Sequence, residues 1–293
     1  MGKKVKIGLI QVVQNENDGY DKRCDMLLNA AESCFKDGAE LVFFPEAFQY
    51  AANRKEVYDN IPLLTSRIAD WKNRCSYLAK KYNAYLVPWD YELTKDGKMY
   101  NTSYILDRNG NEVGRHRKVH LTYGEQKIGL VNGNDFLVFN LDFGRVGIMI
   151  CWDNYFPESA RCLGNRGAEL VLYPLFGDTL NPGWEIKLRS RAIDNSMYIA
   201  ACQIDAISPG AFTGLVDANG TVLERLPKDV PSYRVVEIEM GKETITHTSG
   251  NTKIKEDIRK MTSRCRRPDA YGALLEPAGD YSWDEIYFGK QPK

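Results

Sequence analysis

The chain has 293 residues, 43% hydrophobic and 27% charged, with 39 Lys and Arg offset by 39 Asp and Glu. Zero net charge gives no electrostatic reason to expect nucleic acid or an anionic membrane as partner, and the composition is that of an ordinary soluble globular protein. Seven scattered cysteines without a C-x-x-C pair argue against a disulfide scaffold or structural zinc, and for free thiols in a reducing cytoplasm.

Lys6 and Gln11 interrupt the one N-terminal apolar stretch, so no signal peptide is expected, and Lys6 stands where a myristoylated Gly2 would require Ser or Thr. No segment approaches the ~20 apolar residues of a membrane span. Residues 5–13 read as a buried strand and 20–36 as an amphipathic helix; 39–44 form a short apolar strand closed by Pro45 and Glu46. A helix over 66–82, a strand over 84–93 and a hairpin follow, the hairpin's strands at 103–107 and 112–117 joined through Asn109-Gly110. The pattern then recurs: strands at 137–141 and 146–150, a helix at 157–166, a strand at 168–173, a helix at 184–195, a strand at 198–204. A hairpin of 213–216 and 222–225 closes it through Asn219-Gly220. Asp37-Gly-Ala-Glu-Leu-Val-Phe-Phe-Pro45 is matched by Arg166-Gly-Ala-Glu-Leu-Val-Leu-Tyr-Pro174, and Leu106-Asp-Arg-Asn-Gly-Asn-Glu-Val113 by Val216-Asp-Ala-Asn-Gly-Thr-Val-Leu223. Two related α/β halves packed sheet to sheet are therefore expected in one domain over 1–293, with a body over about 5–240. Residues 241–293 should form a C-terminal helix, over 253–266, and an extended tail. That tail's aromatics, Tyr271, Tyr281, Trp283, Tyr287 and Phe288, suggest packing on the body or on a second subunit.

Chemistry concentrates at strand ends. Cys151 ends the apolar run Gly144–Ile150 and precedes a turn into the helix that opens at Pro157, where a helix-start field would favour thiolate. Glu46 ends its strand in the same way, and a carboxylate after Phe-Phe-Pro is costly to bury without a cation or proton partner. Lys118 lies in the basic run Gly114-Arg-His-Arg-Lys-Val-His-Leu121, which alone reads first as a solvated charge run; Glu46 and Glu125 alone read equally as loop acids. The i, i+4 pair His116 and His120 is a weak metal signal, since the segment reads as strand and no H-E-x-x-H occurs. No G-x-S-x-G, P-loop or G-x-G-x-x-G is present.

Taken together, Phe43-Phe-Pro-Glu46, Arg115-His-Arg-Lys118-Val-His-Leu121 and Gly147-Ile-Met-Ile-Cys151-Trp-Asp153 resemble the three signature motifs of the nitrilase superfamily of carbon–nitrogen hydrolases. They stand in the family's order, 72 and 33 residues apart from Glu46 to Lys118 to Cys151. Phe156-Pro157-Glu158, Arg189-x-Arg191-Ala192-x-x-Asn195 and Arg267-Pro-Asp-Ala-Tyr271 agree, so the resemblance covers roughly residues 5 to 275. It implies a four-layer α-β-β-α sandwich of two mixed sheets, a homodimer or higher homo-oligomer, and no metal or organic cofactor. It also implies Cys151 as nucleophile, Glu46 as general base, Lys118 as the cation of the triad and Glu125 as a second glutamate. Trp152, Asp153 and Tyr155 are expected to form a polar-aromatic substrate wall. This wall resembles the amidase and N-carbamoyl amidohydrolase branches more than true nitrilases. A small-molecule amide or N-carbamoyl substrate is therefore expected, cleaved with release of ammonia through a Cys thioester. A nitrilase acting on a C≡N substrate, a non-catalytic metabolite-binding relative and a redox-sensing thiol protein are the alternatives.

Overall fold

In the computed structural model, which describes residues 2–13, 15, 17–50, 59–177, 183–204, 212–227, 230–246 and 255–276, the first half begins with β1 (Lys4–Gln11) and α1 (Tyr20–Lys36). Helix α1 turns Cys24, Leu27, Ala31, Cys34 and Phe35 to the core, the spacing of one helical face. After β2 (Leu41–Phe43) and a single-turn 3₁₀ helix at Phe48–Tyr50 comes α2 (Ile61–Tyr82). It starts five residues earlier than expected, because the Asn60 side chain caps it by accepting the Leu63 N–H and Pro62 fits its first turn. The strand expected over 84–93 is two, β3 (Tyr85–Val87) and β4 (Trp89–Leu93), broken at Pro88, which has no N–H to give a ladder. The hairpin of β5 (Met99–Leu106) and β6 (Glu112–Arg117) follows, then α3 (Tyr123–Lys127).

The second half runs β7 (Val138–Leu141), β8 (Gly144–Ile148), a 3₁₀ turn at Cys151–Tyr155, α4 (Pro157–Asn165), β9 (Leu170–Leu175), α5 (Trp184–Asn195) and β10 (Tyr198–Gln203). The hairpin β11 (Gly214–Val216) and β12 (Val222–Arg225) closes it. A strand absent from the sequence reading, β13 (Ser232–Glu239), then returns to pair antiparallel with β1 along its whole length. The first sheet has the order β13-β1-β2-β3-β5-β4, with β6 beside β5, and the second β12-β11-β10-β9-β8-β7. Both are mixed, as parallel β1-β2-β3 and β8-β9-β10 cores carry antiparallel neighbours. They face each other where the Cys202 thiol donates to the Ile10 carbonyl, 2.7 Å away. With helices outside, this is the expected α-β-β-α sandwich.

The repeated sequences fold alike down to single hydrogen bonds. Glu40 N–H donates to the Lys6 carbonyl and Glu169 N–H to that of Arg145, each at 2.8 Å. In the two hairpin turns the carboxylates of Asp107 and Asp217 accept identical pairs of backbone N–H groups, at 2.9 and 2.8 Å. Gly110 and Gly220 take φ of 78° and 76° there, a left-handed conformation that glycine adopts without steric cost.

Packing divides the chain into two units, Met1–Thr244 and Ile245–Lys293. In the second, β14 (Ile245–Thr246) pairs antiparallel with β15 (Glu256–Asp257), and Asp257 caps α6 (Ile258–Cys265), shorter than the helix expected over 253–266. Tyr281, Trp283, Tyr287 and Phe288 lie outside the described residues.

Candidate active site

Strand periodicity sorts the basic run. Along β6 and just past it, His116 and Lys118 point inward and are buried, while Arg115 and Arg117 lie on the other face and pair with Glu92. Lys118 is therefore not a solvated charge. Its Nζ donates to Oε1 of Glu46 and to both carboxylate oxygens of Glu125, each at 2.9 Å. Burial on its own would lower its proton affinity, but the charges of Glu46 and Glu125 overcome that and raise it, so Lys118 stays an ammonium.

Glu46 follows β2, and the next residue, Ala47, has φ of 58°, an uncommon conformation for a residue with a Cβ. The carboxylate is buried; its Oε2 accepts the Phe176 N–H from just beyond β9 at 2.9 Å. A strand end of the second half thus completes the surroundings of a carboxylate from the first. Glu125 is placed by a capping box on α3: its Oε2 accepts the Thr122 N–H at 2.8 Å and hydroxyl at 3.0 Å, while Thr122 Oγ1 caps the Glu125 N–H. The Thr122-x-x-Glu125 spacing is the sequence signal for α3. One residue no motif announced joins them: Asn101 Nδ2 donates to Oε1 of both glutamates at 2.7 Å.

Cys151 also carries a left-handed backbone, φ 44°, at the start of its 3₁₀ turn, and its thiol feels the Glu46 carboxylate, which raises its proton affinity. Strain of this kind persists where the surroundings enforce it; here the Tyr173 hydroxyl donates to the Cys151 carbonyl at 2.9 Å. The residue is only 8% exposed, and burial, with Glu46 and Glu125 adding to it, pushes the thiol well above its ordinary value against the pull of Lys118. This corrects the expectation that a helix-start field would favour thiolate: burial outweighs that field and the resting sulfur holds its proton.

Asp153 is corrected as well. It is fully buried rather than on a substrate wall. Its Oδ2 accepts the Ile150 N–H at 3.0 Å and faces His116 Nε2 at 3.3 Å; its Oδ1 accepts the His120 N–H and faces His120 Nδ1, both at 2.9 Å. Burial would raise this carboxyl, but the two histidines hold it well below the usual carboxylate range. The side chain is a clasp between the turn carrying Cys151 and the strand end carrying Lys118. Half-buried Trp152 and Tyr155 stack with ring centroids 3.9 Å apart, and Lys187 Nζ lies 4.1 Å from the Tyr155 ring centroid.

The described residues thus bring together a buried thiol, a carboxylate that acts on it, and an ammonium fixed between two carboxylates. A family model described as Carbon-nitrogen hydrolase matches residues 6–246. Omega-amidase NIT2 of Homo sapiens is 31% identical over 205 residues, 65% of this chain and 70% of that protein. Omega-amidase NIT2-B of Xenopus laevis is 30% identical over 212 residues, 67% of this chain and 73% of that one. In fold, the chain is similar to a mutant amidase from Nesterenkonia sp. AN1 that carries the acetamide moiety of fluoroacetamide on its active-site cysteine. The TM-score is 0.77 at 21% identity, covering 94% of this chain and 98% of the other.

Proposed function

Since the chain belongs to the carbon–nitrogen hydrolase family, within the nitrilase superfamily, we propose that it hydrolyses a small-molecule amide or N-carbamoyl compound and releases ammonia through a thioester on Cys151. The observation that carries this reading is the ion cluster itself: Lys118 held at 2.9 Å by Glu46 and Glu125, with the buried Cys151 thiol electrostatically coupled to all three. A thiol this strongly protonated is a poor nucleophile alone, so a base must take its proton as sulfur attacks the carbonyl carbon. Glu46 is that base. The oxyanion that forms meets the Lys118 charge and the N–H of Trp152, which as the second residue of a helical turn has no partner within the turn. Glu46 then returns the proton to the departing nitrogen, ammonia leaves, and a water deprotonated by Glu46 releases the acid from sulfur. Trp152 and Tyr155 would form the aromatic side of the substrate's berth.

A panel of small amides, N-carbamoyl compounds and nitriles, assayed for ammonia with the wild-type chain and with Cys151→Ala, tests this. Ammonia release from amides or N-carbamoyl compounds, abolished in a folded Cys151→Ala protein, is expected. Undiminished turnover by that variant would remove Cys151 from the mechanism.

A further inference from the structure

One hydroxyl beside the nucleophile has no part in the proton transfers. Tyr173, in β9, is buried, and its O–H donates to the Cys151 carbonyl at 2.9 Å. A carbonyl oxygen only accepts, so the proton is committed to this bond, and burial keeps Tyr173 a phenol by raising it well above the ordinary tyrosine range. The repeat isolates what the hydroxyl adds. In the first half the matching position of the strand motif is Phe44, also buried, so that strand end packs a ring without an oxygen.

The bond acts on a peptide group. Ile150 keeps an extended backbone, φ −112° and ψ 118°, and Cys151 then reverses to φ 44°, so the chain swings sharply at the nucleophile. The Cys151 carbonyl and the Trp152 N–H belong to one planar trans peptide, in which the two groups point in opposite directions. Fixing the oxygen on Tyr173 therefore fixes the N–H, aimed away from the phenol. Among the described residues this N–H has no acceptor, whereas those of Asp153 and Phe156 in the same turn are spent on the carbonyls of Ile150 and Asp153. A hydrogen bond to the carbonyl also polarises the peptide, which makes its N–H a stronger donor.

We propose that Tyr173 is a positioning residue for the oxyanion donor: its hydroxyl holds the Cys151–Trp152 peptide so that the Trp152 N–H faces the oxygen of the tetrahedral intermediate and strengthens as a donor when that oxygen becomes charged. This rests on the amidase reading above. Strand β9 then serves both partners of the reaction, the nucleophile's own peptide through Tyr173 and the base through the Phe176 N–H just beyond its end.

The test compares wild type, Tyr173→Phe and Tyr173→Met as full-length proteins by three readouts. Steady-state ammonia release from the best amide passes through an oxyanion. Alkylation of Cys151 by iodoacetamide, followed by peptide mass, displaces iodide at a saturated carbon and forms none. Protection from that alkylation by propionaldehyde reports a tetrahedral adduct without turnover: sulfur bonds to the carbonyl carbon and the thiol proton passes to its oxygen. Tyr173→Phe is expected to lose about 10–100-fold in kcat with KM changed less than about twofold, short of the ~10²–10³-fold cost of deleting an oxyanion donor outright. Its alkylation rate should stay within about threefold of wild type, because the thiolate and not an oxyanion sets that rate. Propionaldehyde should protect it roughly tenfold less well, the effect of one weakened hydrogen bond. Tyr173→Met, whose pliable chain fills the space of the ring, should behave alike and serves if the Phe variant does not fold. The proposal is overturned if a folded variant keeps the wild-type kcat and aldehyde protection, or if its loss lies in KM alone. It is overturned equally if alkylation falls in step with kcat, which would make Tyr173 a support of the thiol. Weakened aldehyde protection in a protein that hydrolyses no amide or N-carbamoyl compound would uphold the positioning role and sink the amidase reading.

Discussion

Removing one ammonium from this site would leave Glu46 and Glu125 facing each other with no cation between them. Lys118→Met is therefore expected to reduce kcat/KM by at least ~10²-fold, the scale of one lost oxyanion-stabilising donor. The acid limb of its pH–rate curve should also move upward, because the protonation that switches the base off then happens at higher pH. Lys118→Arg should fail too, since a broad guanidinium does not fit where a compact ammonium donates to three carboxylate oxygens at 2.9 Å. Lys127, on the far turn of α3 with its ammonium over the Tyr123 ring, provides the contrast: Lys127→Met should be nearly silent in the same assay. Equal activities for Lys118→Met and Lys127→Met would remove the cation from the mechanism.

Among the elements, the two turns that flank β5, at Gly97 and at Gly110, show how a backbone requirement and a packing requirement can be separated. Gly97 and Gly110 have nearly the same φ, 79° and 78°, yet a Cβ at Gly97 would meet nothing within 4 Å while one at Gly110 would lie 2.4 Å from the Ser76 carbonyl oxygen on α2. Gly97→Ala should cost about 1 kcal/mol from left-handed strain alone, and Gly110→Ala about 3 kcal/mol once the collision is added. Urea midpoints with an unchanged slope would read the difference; equal midpoints would refute it. The hairpins were legible in the sequence because Asn-Gly turns are local signals, and so were the strand ends that place Glu46 and Cys151. Lys118 was ambiguous as a basic run and was picked out by its motif. Three things were not legible. Asn101 looks like any polar strand residue, and only burial of both faces of β5, a product of distant packing, makes it part of the site. Asp153 follows the nucleophile so closely that it suggested a substrate contact, but the 3₁₀ turn rotates it inward to the histidines. Strand β13 gains its place from pairing with β1, more than two hundred residues earlier in the chain.

At the scale of the whole molecule, three buried charges respond to pH with different signs. Asp153, held low by His116 and His120, contributes stability that is full above 3.8 and lost as pH falls through its depressed value. Lys118, raised, contributes stability that is full below 10.5 and lost as pH rises through its raised value. Asp90 works against the fold at neutral pH. Burial in β4 pushes its carboxyl from 3.8 up to about 7, although the Tyr50 hydroxyl and the Tyr91 N–H both donate to it. Between those values the native state holds a proton the unfolded chain has released, so stability declines as pH rises, reaching roughly 4 kcal/mol at the limit. Asp90→Asn should accordingly melt at a higher temperature than wild type above about pH 7, with the advantage vanishing below 3.8. A constant difference in melting temperature at every pH would disprove the ionisation account.

The repeated segments 37–45 and 166–174 share six of nine residues, and at the next position they part: Glu46 in one, Leu175 in the other. Two identical halves would present two bases across a twofold axis, and with them two half-competent sites in competition for one cleft. A single apolar residue breaks that symmetry. At this position the second half keeps the shape of the strand end and offers the N–H of Phe176, which fixes the acid of its twin. The molecule is in effect a dimer written on one chain, in which the first half brings the two carboxylates and the ammonium and the second brings the thiol.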